Sequence, residues 1–468
     1  MSAVSSPLRI LHLGLGSFHR AHQAVYLQRL HAAGDHRWQL AGANLRPDMN
    51  DVLQALQQQG GAYTLETVTP DGQRSHERIE SIGEVIGWEP SLATVMARAA
   101  DPATRIVSFT VTEAGYYLDD RHQLDLQHPD VASDLKGGSY QTLYGAVAAM
   151  LRTRLRAGAG ALTLLNCDNL RSNGERFCDG LRQFVQAQGD AELLEWIKAN
   201  TICPNAMVDR ITPRPPPELK ARVAQATGWR DAAPVMAEDF MQWVIEDRFC
   251  NGRPEWERVG VQIVADVAPY EEAKIRILNA SHSCIAWAGT LRGLHYIHEG
   301  THDPDIRAMA YAYVTEDVIP CLNRDGHPSP VDLPAYRDTV LQRFSNAAIA
   351  DTNQRVAADG FAKITGFIVP TIRERLARGQ RIAAVARLPA LFLAFLQRWH
   401  AGQLPFEYQD QAMDPARAHA MCAAPDPLVP FSQDKMLWGE LAGHPALYDA
   451  LVAAHGEVTA FIAKSPRL

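Results

Sequence analysis

The segment Leu8-Arg-Ile-Leu-His-Leu-Gly-Leu-Gly-Ser-Phe-His-Arg-Ala-His-Gln-Ala passes from an apolar strand through a glycine turn into an amphipathic helix. No other stretch constrains the fold as much, because it reads as the opening strand-turn-helix of a dinucleotide-binding sheet. Gly14 permits the tight turn. Gly16 lets the backbone approach a pyrophosphate, which would rest on the N–H groups at the helix start, at Ser17 and Phe18. The third glycine of the usual GxGxxG is His19 here. A second strand over residues 38–45 ends where such folds place a ribose-selecting acid, and Asp48 is the nearest carboxylate. Asp48 would bind the ribose hydroxyls and repel a 2'-phosphate, favouring NAD, whereas Arg46 two residues earlier argues for NADP. A purely structural turn with an exposed Asp48 is the alternative.

Downstream, strand-like runs at 105–112, 161–166 and 259–264 alternate with helical runs at 141–156 and 175–188. A hairpin is expected around Pro70-Asp-Gly, and the Pro-rich run after Thr212 reads as an extended loop. Past about residue 265 the strand signals fade, and helices are expected at 305–317, 333–345, 370–378, 389–401 and 444–464. The fold class is therefore an α/β N-terminal domain with a Rossmann-type, mostly parallel sheet (1–265), followed by a mainly α-helical C-terminal domain (266–468).

The helical half opens with Pro269-Tyr-Glu-Glu-Ala-Lys-Ile-Arg-Ile-Leu-Asn-Ala-Ser-His-Ser. On one continuous α-helix, at about 100° per residue, Asn279 lies about 140° round from Lys274 and His282 falls between them. Three polar side chains can thus face one cavity. A desolvated amine can take a proton from an alcohol while an amide and an imidazole hold the oxygen. That is alcohol-to-ketone chemistry without a metal. The amine must be neutral for this role, and burial lowers a lysine pKa from its free value of about 10.4. The competing reading is an ordinary core helix built on Ile275, Ile277, Leu278 and Ile285, with a snorkelling lysine.

These regions together resemble the mannitol dehydrogenase family of polyol-specific long-chain dehydrogenases. The resemblance rests on Gly14-Leu-Gly-Ser-Phe-His-Arg-Ala-His, Thr110-Val-Thr-Glu-Ala-Gly-Tyr, Asn166-Cys-Asp-Asn-Leu, Pro204-Asn-Ala-Met-Val-Asp-Arg-Ile-Thr-Pro and the KxxxxNxxH pattern at Lys274, Asn279 and His282. It implies Lys274 as general base, with Asn279 and His282 binding the reacting oxygen and steadying its developing charge. It also implies that Asn169 and Asp209 contact the polyol or organise the site, and that Glu113 assists proton movement to solvent. Without the resemblance, Asn169 reads as a turn residue and Asp209 as a cap or a partner of Arg210. Arg343 and residues 361–363 are further candidates for sugar recognition, with solvated surface charge as the alternative. Within the family, the phrases from Arg276 to Leu291 and from Asp351 to Phe361 are closest to enzymes of D-arabinitol. This implies NAD-dependent oxidation to D-xylulose, with mannitol oxidation to fructose or reduction of fructuronate or tagaturonate as alternatives. A nucleotide-sensing regulator could retain the Gly14 turn, but it would not need the lysine, asparagine and histidine together.

Composition narrows the partners. A net charge of −8 offers no basic surface to nucleic acid or anionic lipid, and no apolar run reaches the ~18 residues of a membrane helix. Met1-Ser-Ala-Val-Ser-Ser-Pro lacks the regions of a secretory signal, so a cytoplasmic location is expected. The seven cysteines include no CxxC pair and the seventeen histidines no HExxH, so neither paired disulfides nor a metal site is expected. The expected partner is a small polyol or ketose, with oligomeric state left open.

Overall fold

The computed structural model describes residues 7–119, 123–324 and 326–464. Apart from the three-residue turn Pro70–Gly72, the chain divides into two compact units at Ala268 and Pro269.

The first unit is built on a six-stranded parallel sheet. Its strands are β1 (Leu8–Leu13), β2 (Trp38–Ala43), β3 (Ile82–Val85), β4 (Thr104–Phe109), β5 (Leu162–Asn166) and β6 (Thr201–Ile202), in spatial order β3-β2-β1-β4-β5-β6. Successive side chains on a strand point to opposite faces, and a parallel sheet is covered on both. Accordingly Leu11, Ala41 and Val107 join one buried core, while their neighbours Ile10, Leu40 and Ile106 join another. Both-sided burial explains why the strands read as near-continuous apolar runs. Strand order reverses between β1 and β4, and in open α/β sheets ligands bind at the carboxyl ends of strands at such a switch point. The expected hairpin forms between Tyr63–Val68 and Arg74–Ile79, paired antiparallel around the Pro-Asp-Gly turn.

The second unit is helical in every long element. Its centre is the helix Ala280–Leu291, in which His282 alone is not buried. A long helix, Ala383–His400, packs against both this helix and Pro445–Ala463. The helix expected to start at Pro389 actually begins at Ala383 and carries Pro389 inside. Proline is a good starter because it lacks an N–H, which made it the natural boundary. The true start is stabilised from afar, since the Val385 N–H donates to the Asp317 carboxylate at 2.7 Å.

Candidate active site

At the switch point, the carboxyl ends of β1, β2 and β4 are laced together. The Gly14 N–H donates to Ala43 O (2.8 Å), the Thr110 N–H to Leu13 O (3.0 Å) and the Thr110 hydroxyl to Gly14 O (2.9 Å). Gly14 has φ +99°, and a Cβ there would run into the carbonyl oxygen of Thr110, so only glycine fits. Gly16 differs. Its φ is −85° and no protein atom other than Gly14 O would lie within 4 Å of an added Cβ, so the fold itself has no need of glycine there. The helix Ser17–Ala21 follows Gly16 with no side-chain cap on its N-terminus, and Phe18 in it stacks on His22.

His19, in place of the third glycine, is fully buried and stacks on His12 of β1, ring centroids 3.4 Å apart and 16° from parallel. His12 is held in turn by Ser108 Oγ at 2.8 Å from Nδ1. The helix therefore packs on the sheet through an imidazole pair where a third glycine would allow direct contact. Burial pushes the His12 pKa down to about 3 and lowers that of His19 as well.

Past β2, Asp48 is exposed in the short turn Pro47–Met49. Arg46 is engaged elsewhere: its guanidinium donates to Gln141 O (2.8 Å) and Tyr117 Oη (2.7 Å) and lies 3.3 Å from Asp130.

The turn after β4 is organised by Asp168, which the sequence reading passed over although it lies inside Asn166-Cys-Asp-Asn-Leu. Its carboxylate accepts the N–H groups of Val111 (2.9 Å) and Thr112 (3.0 Å) and the Tyr116 hydroxyl. Burial raises its pKa, while those hydrogen bonds pull it back. Thr112 is held at φ +71°, a conformation that costs a β-branched residue energy and persists only where surroundings impose it. Glu113 begins the 3-10 turn ending at Tyr116, and its side chain lies outside the described residues. Asn169, next to Asp168, is exposed. Asp209 is buried at the end of the strand Ala206–Asp209, opposite Gln242. The guanidinium of its neighbour Arg210 donates to backbone carbonyls of Ala21 (2.6 Å) and Glu238 (2.8 Å).

In the second unit the run carrying Lys274, Asn279 and His282 is not one uniform α-helix. It consists of Ala268–Ala273, a π-helical turn over Lys274–Asn279, and the α-helix Ala280–Leu291. Hydrogen bonding from i to i+5 widens the turn, so Lys274 and Asn279, five residues apart, lie closer in azimuth than the 140° expected of an α-helix. Single π turns recur at functional sites. Lys274 is buried at 6% exposure, which sets aside a lysine snorkelling to solvent.

The π turn is braced from behind. Arg276 is buried between Glu272 (2.6 Å) and Glu374 (2.7 Å), and the buried Tyr313 hydroxyl donates to Arg276 O at 2.8 Å. Removing that donor leaves a buried carbonyl short of a partner, which costs about 1–3 kcal/mol. Tyr313→Phe should therefore lower stability by that amount in urea unfolding with an unchanged m-value. An unchanged unfolding midpoint would show that the bond does not brace the turn. Arg343 is buried rather than solvated, and Lys363 Nζ donates to the carbonyls of Val356 and Ala358, both at 2.6 Å.

His282 lies 3.2 Å through Nε2 from Asp351 Oδ2 and stacks on Phe344 at 4.3 Å. Burial lowers the His282 pKa, with Asp351 opposing, and the pairing holds the Asp351 carboxyl well below the usual carboxylate range. Among the described residues, no group of three or more His, Cys, Asp or Glu could hold a metal ion, and no helix is long and apolar enough to cross a membrane.

Known proteins align with this arrangement. The chain matches the mannitol dehydrogenase Rossmann domain over residues 8–258 and the mannitol dehydrogenase C-terminal domain over 266–459. It is 59% identical to D-arabinitol 4-dehydrogenase of Ralstonia nicotianae, covering 97% of each chain. Identity to D-arabinitol 4-dehydrogenase of Klebsiella pneumoniae is 55%, over 93% of this chain and 94% of the relative. The solved structure of Pseudomonas fluorescens mannitol 2-dehydrogenase, a ternary complex with NAD and D-mannitol, superposes with a TM-score of 0.82 at 35% identity, covering 98% of this chain and 94% of that one. With a glycine turn at the sheet's switch point, a buried lysine on a π turn and both family domains matched in order, the chain belongs to the mannitol dehydrogenase family.

Proposed function

We propose that this polyol dehydrogenase oxidises D-arabinitol at C4 to D-xylulose with NAD, using Lys274 as general base. The observation that carries the reading is the burial of Lys274 on the π turn, with Asn279 at the end of the same turn and His282 three residues on.

The first unit supplies the residues for the dinucleotide. Gly16, glycine without a steric need in the protein alone, gains a reason if a pyrophosphate passes close to its backbone, with the N–H groups of Ser17 and Phe18 facing the charge. Asp48 stands free to accept ribose hydroxyls, and Arg46 is occupied by Tyr117, Asp130 and Gln141, which favours NAD over NADP. When bound, NAD supplies the hydride acceptor. Lys274 takes the hydroxyl proton as hydride leaves the same carbon, so alcohol becomes ketone with no metal required. Asn279 and His282 hold the polyol, Asn169 and Asp209 contact it or order the site, and Glu113 passes the proton on to solvent.

Substrate choice rests on the two D-arabinitol 4-dehydrogenase relatives. A pocket fitted to a pentitol must accommodate one more hydroxymethylene for D-mannitol, a mismatch worth about 1–3 kcal/mol or roughly 10- to 200-fold. Measured kcat/KM with NAD should be higher for D-arabinitol than for D-mannitol by a factor in that range, and lower again with NADP. A preference for D-mannitol, fructuronate or tagaturonate would overturn the substrate assignment.

A further inference from the structure

Asp351 lies far from His282 in sequence, yet the fold takes pains to place it. Ala350, immediately before it, is a non-glycine residue at φ +51°, and the backbone at Asp351 and just after it is pinned: Asp351 O accepts the Ile297 N–H at 2.9 Å and the Asn353 N–H donates to His295 O at 2.9 Å. Strained backbone over-determined by its surroundings clusters at functional sites. The carboxylate so placed is 10% exposed and meets two groups. Arg355 donates to it through Nε (2.7 Å) and Nη2 (2.5 Å), and His282 Nε2 lies 3.2 Å from Oδ2, with its N–H off the line of the contact. Phe344 stacks against the imidazole at 17° from parallel and fixes its plane.

We propose that Asp351 is a positioning residue that holds His282 as its Nε2–H tautomer, leaving Nδ1 to accept a hydrogen bond from a hydroxyl of the bound polyol. The argument is one of donors and acceptors. An ionised carboxylate only accepts, so the ring nitrogen facing it carries the proton, and in a neutral imidazole the other nitrogen then carries a lone pair. Burial disfavours the imidazolium that could donate from both nitrogens. His282 therefore cannot steady a developing alkoxide through Nδ1. It accepts instead from a neighbouring hydroxyl, because the proton of the reacting one goes to Lys274. Donation to the reacting oxygen falls to the Asn279 amide. The proposal rests on the assignment of His282 to the polyol site.

The test is long-range 1H–15N spectroscopy of histidine-labelled enzyme near neutral pH, with His282→Gln used to assign the signal, alongside kinetics of Asp351→Asn and Asp351→Glu. The wild-type ring should show the Nε2–H pattern. Asp351→Asn can donate to Nε2, and should move the proton to Nδ1 and lower kcat/KM for D-arabinitol by at least about 10²-fold, as expected when a catalytic hydrogen-bonding group is in the wrong state. NAD affinity should stay unchanged, and Asp351→Glu should recover part of the loss together with the Nε2–H pattern. An Nδ1–H or imidazolium pattern in the wild type overturns the proposal, as does wild-type kcat/KM in Asp351→Asn despite a changed tautomer. If Asp351→Asn does not fold, the wild-type and Asp351→Glu spectra decide the matter. Because the spectrum is read on the free enzyme, a wrong tautomer and a wrong polyol assignment give separate results.

Discussion

Stability is expected to fall steeply as the pH drops from about 6.5 toward 4.5, before most carboxylates titrate. His12 and His19 are fully buried against each other and His282 is packed against Phe344, and burial depresses the pKa of all three, that of His12 to about 3. In the unfolded chain each takes up a proton near pH 6.5. The unfolded state thus binds more protons than the folded one throughout this window, so stability rises with pH and is lost as pH falls below the unfolded value. A histidine held neutral in the fold contributes at most about 1.4 kcal/mol per pH unit, so His12, with its pKa down at about 3, removes about 2 kcal/mol between pH 6.5 and 4.5. The buried carboxyls of Asp168 and Asp317, whose pKa values burial raises, act in the opposite sense and soften the fall near its lower end. Urea midpoints measured from pH 7.5 to 4.5 should decline with this slope, and His12→Asn should decline less steeply than wild type. A midpoint flat across the window would mean that the imidazole pair is not buried neutral.

The Gly14 turn was legible because its information is local. Gly14 needs a positive φ, and strand, turn and helix follow one another within a few residues. Strands β1, β2, β4 and β5 were legible because burial on both faces writes continuous apolar runs, whereas the short edge strands Ile82–Val85 and Thr201–Ile202 were not. The π turn was not. Its residues, Lys274-Ile-Arg-Ile-Leu-Asn, have ordinary helical character, and what holds the wide turn comes from Tyr313, Glu374 and Glu272, two of them distant in sequence. The start of Ala383–His400 was missed for the same reason, since its cap is the carboxylate of Asp317.

The site followed the same division. Lys274, Asn279 and His282, the proposed catalytic residues, lie within nine residues of one another and could be singled out as candidates from local spacing. Asp168 and Asp351 act through partners brought close by the fold, on Val111, Thr112 and Tyr116 in one case and on His282 and Arg355 in the other. Both lie inside segments that carry the family resemblance, Asn166-Cys-Asp-Asn-Leu and the phrase from Asp351 to Phe361, yet nothing in local spacing distinguishes them from turn-forming aspartates.

The proton-abstracting role of Lys274 is open to direct measurement. Its amine is buried at 6% exposure, and general-base catalysis contributes about 10²–10⁴-fold to rate. Replacing it with alanine removes the proposed base but leaves the Gly14 turn and the proposed NAD contacts in the first unit untouched. Methionine fills a similar volume without a titratable group, so it separates loss of the base from a packing defect. The decisive measurement is kcat/KM for NAD-dependent D-arabinitol oxidation in Lys274→Ala and Lys274→Met, with folding checked by circular dichroism and NAD affinity by fluorescence titration. Both variants should fold, bind NAD as wild type does, and lose at least about 10²-fold in kcat/KM. Turnover close to wild type in either folded variant would contradict the lysine mechanism.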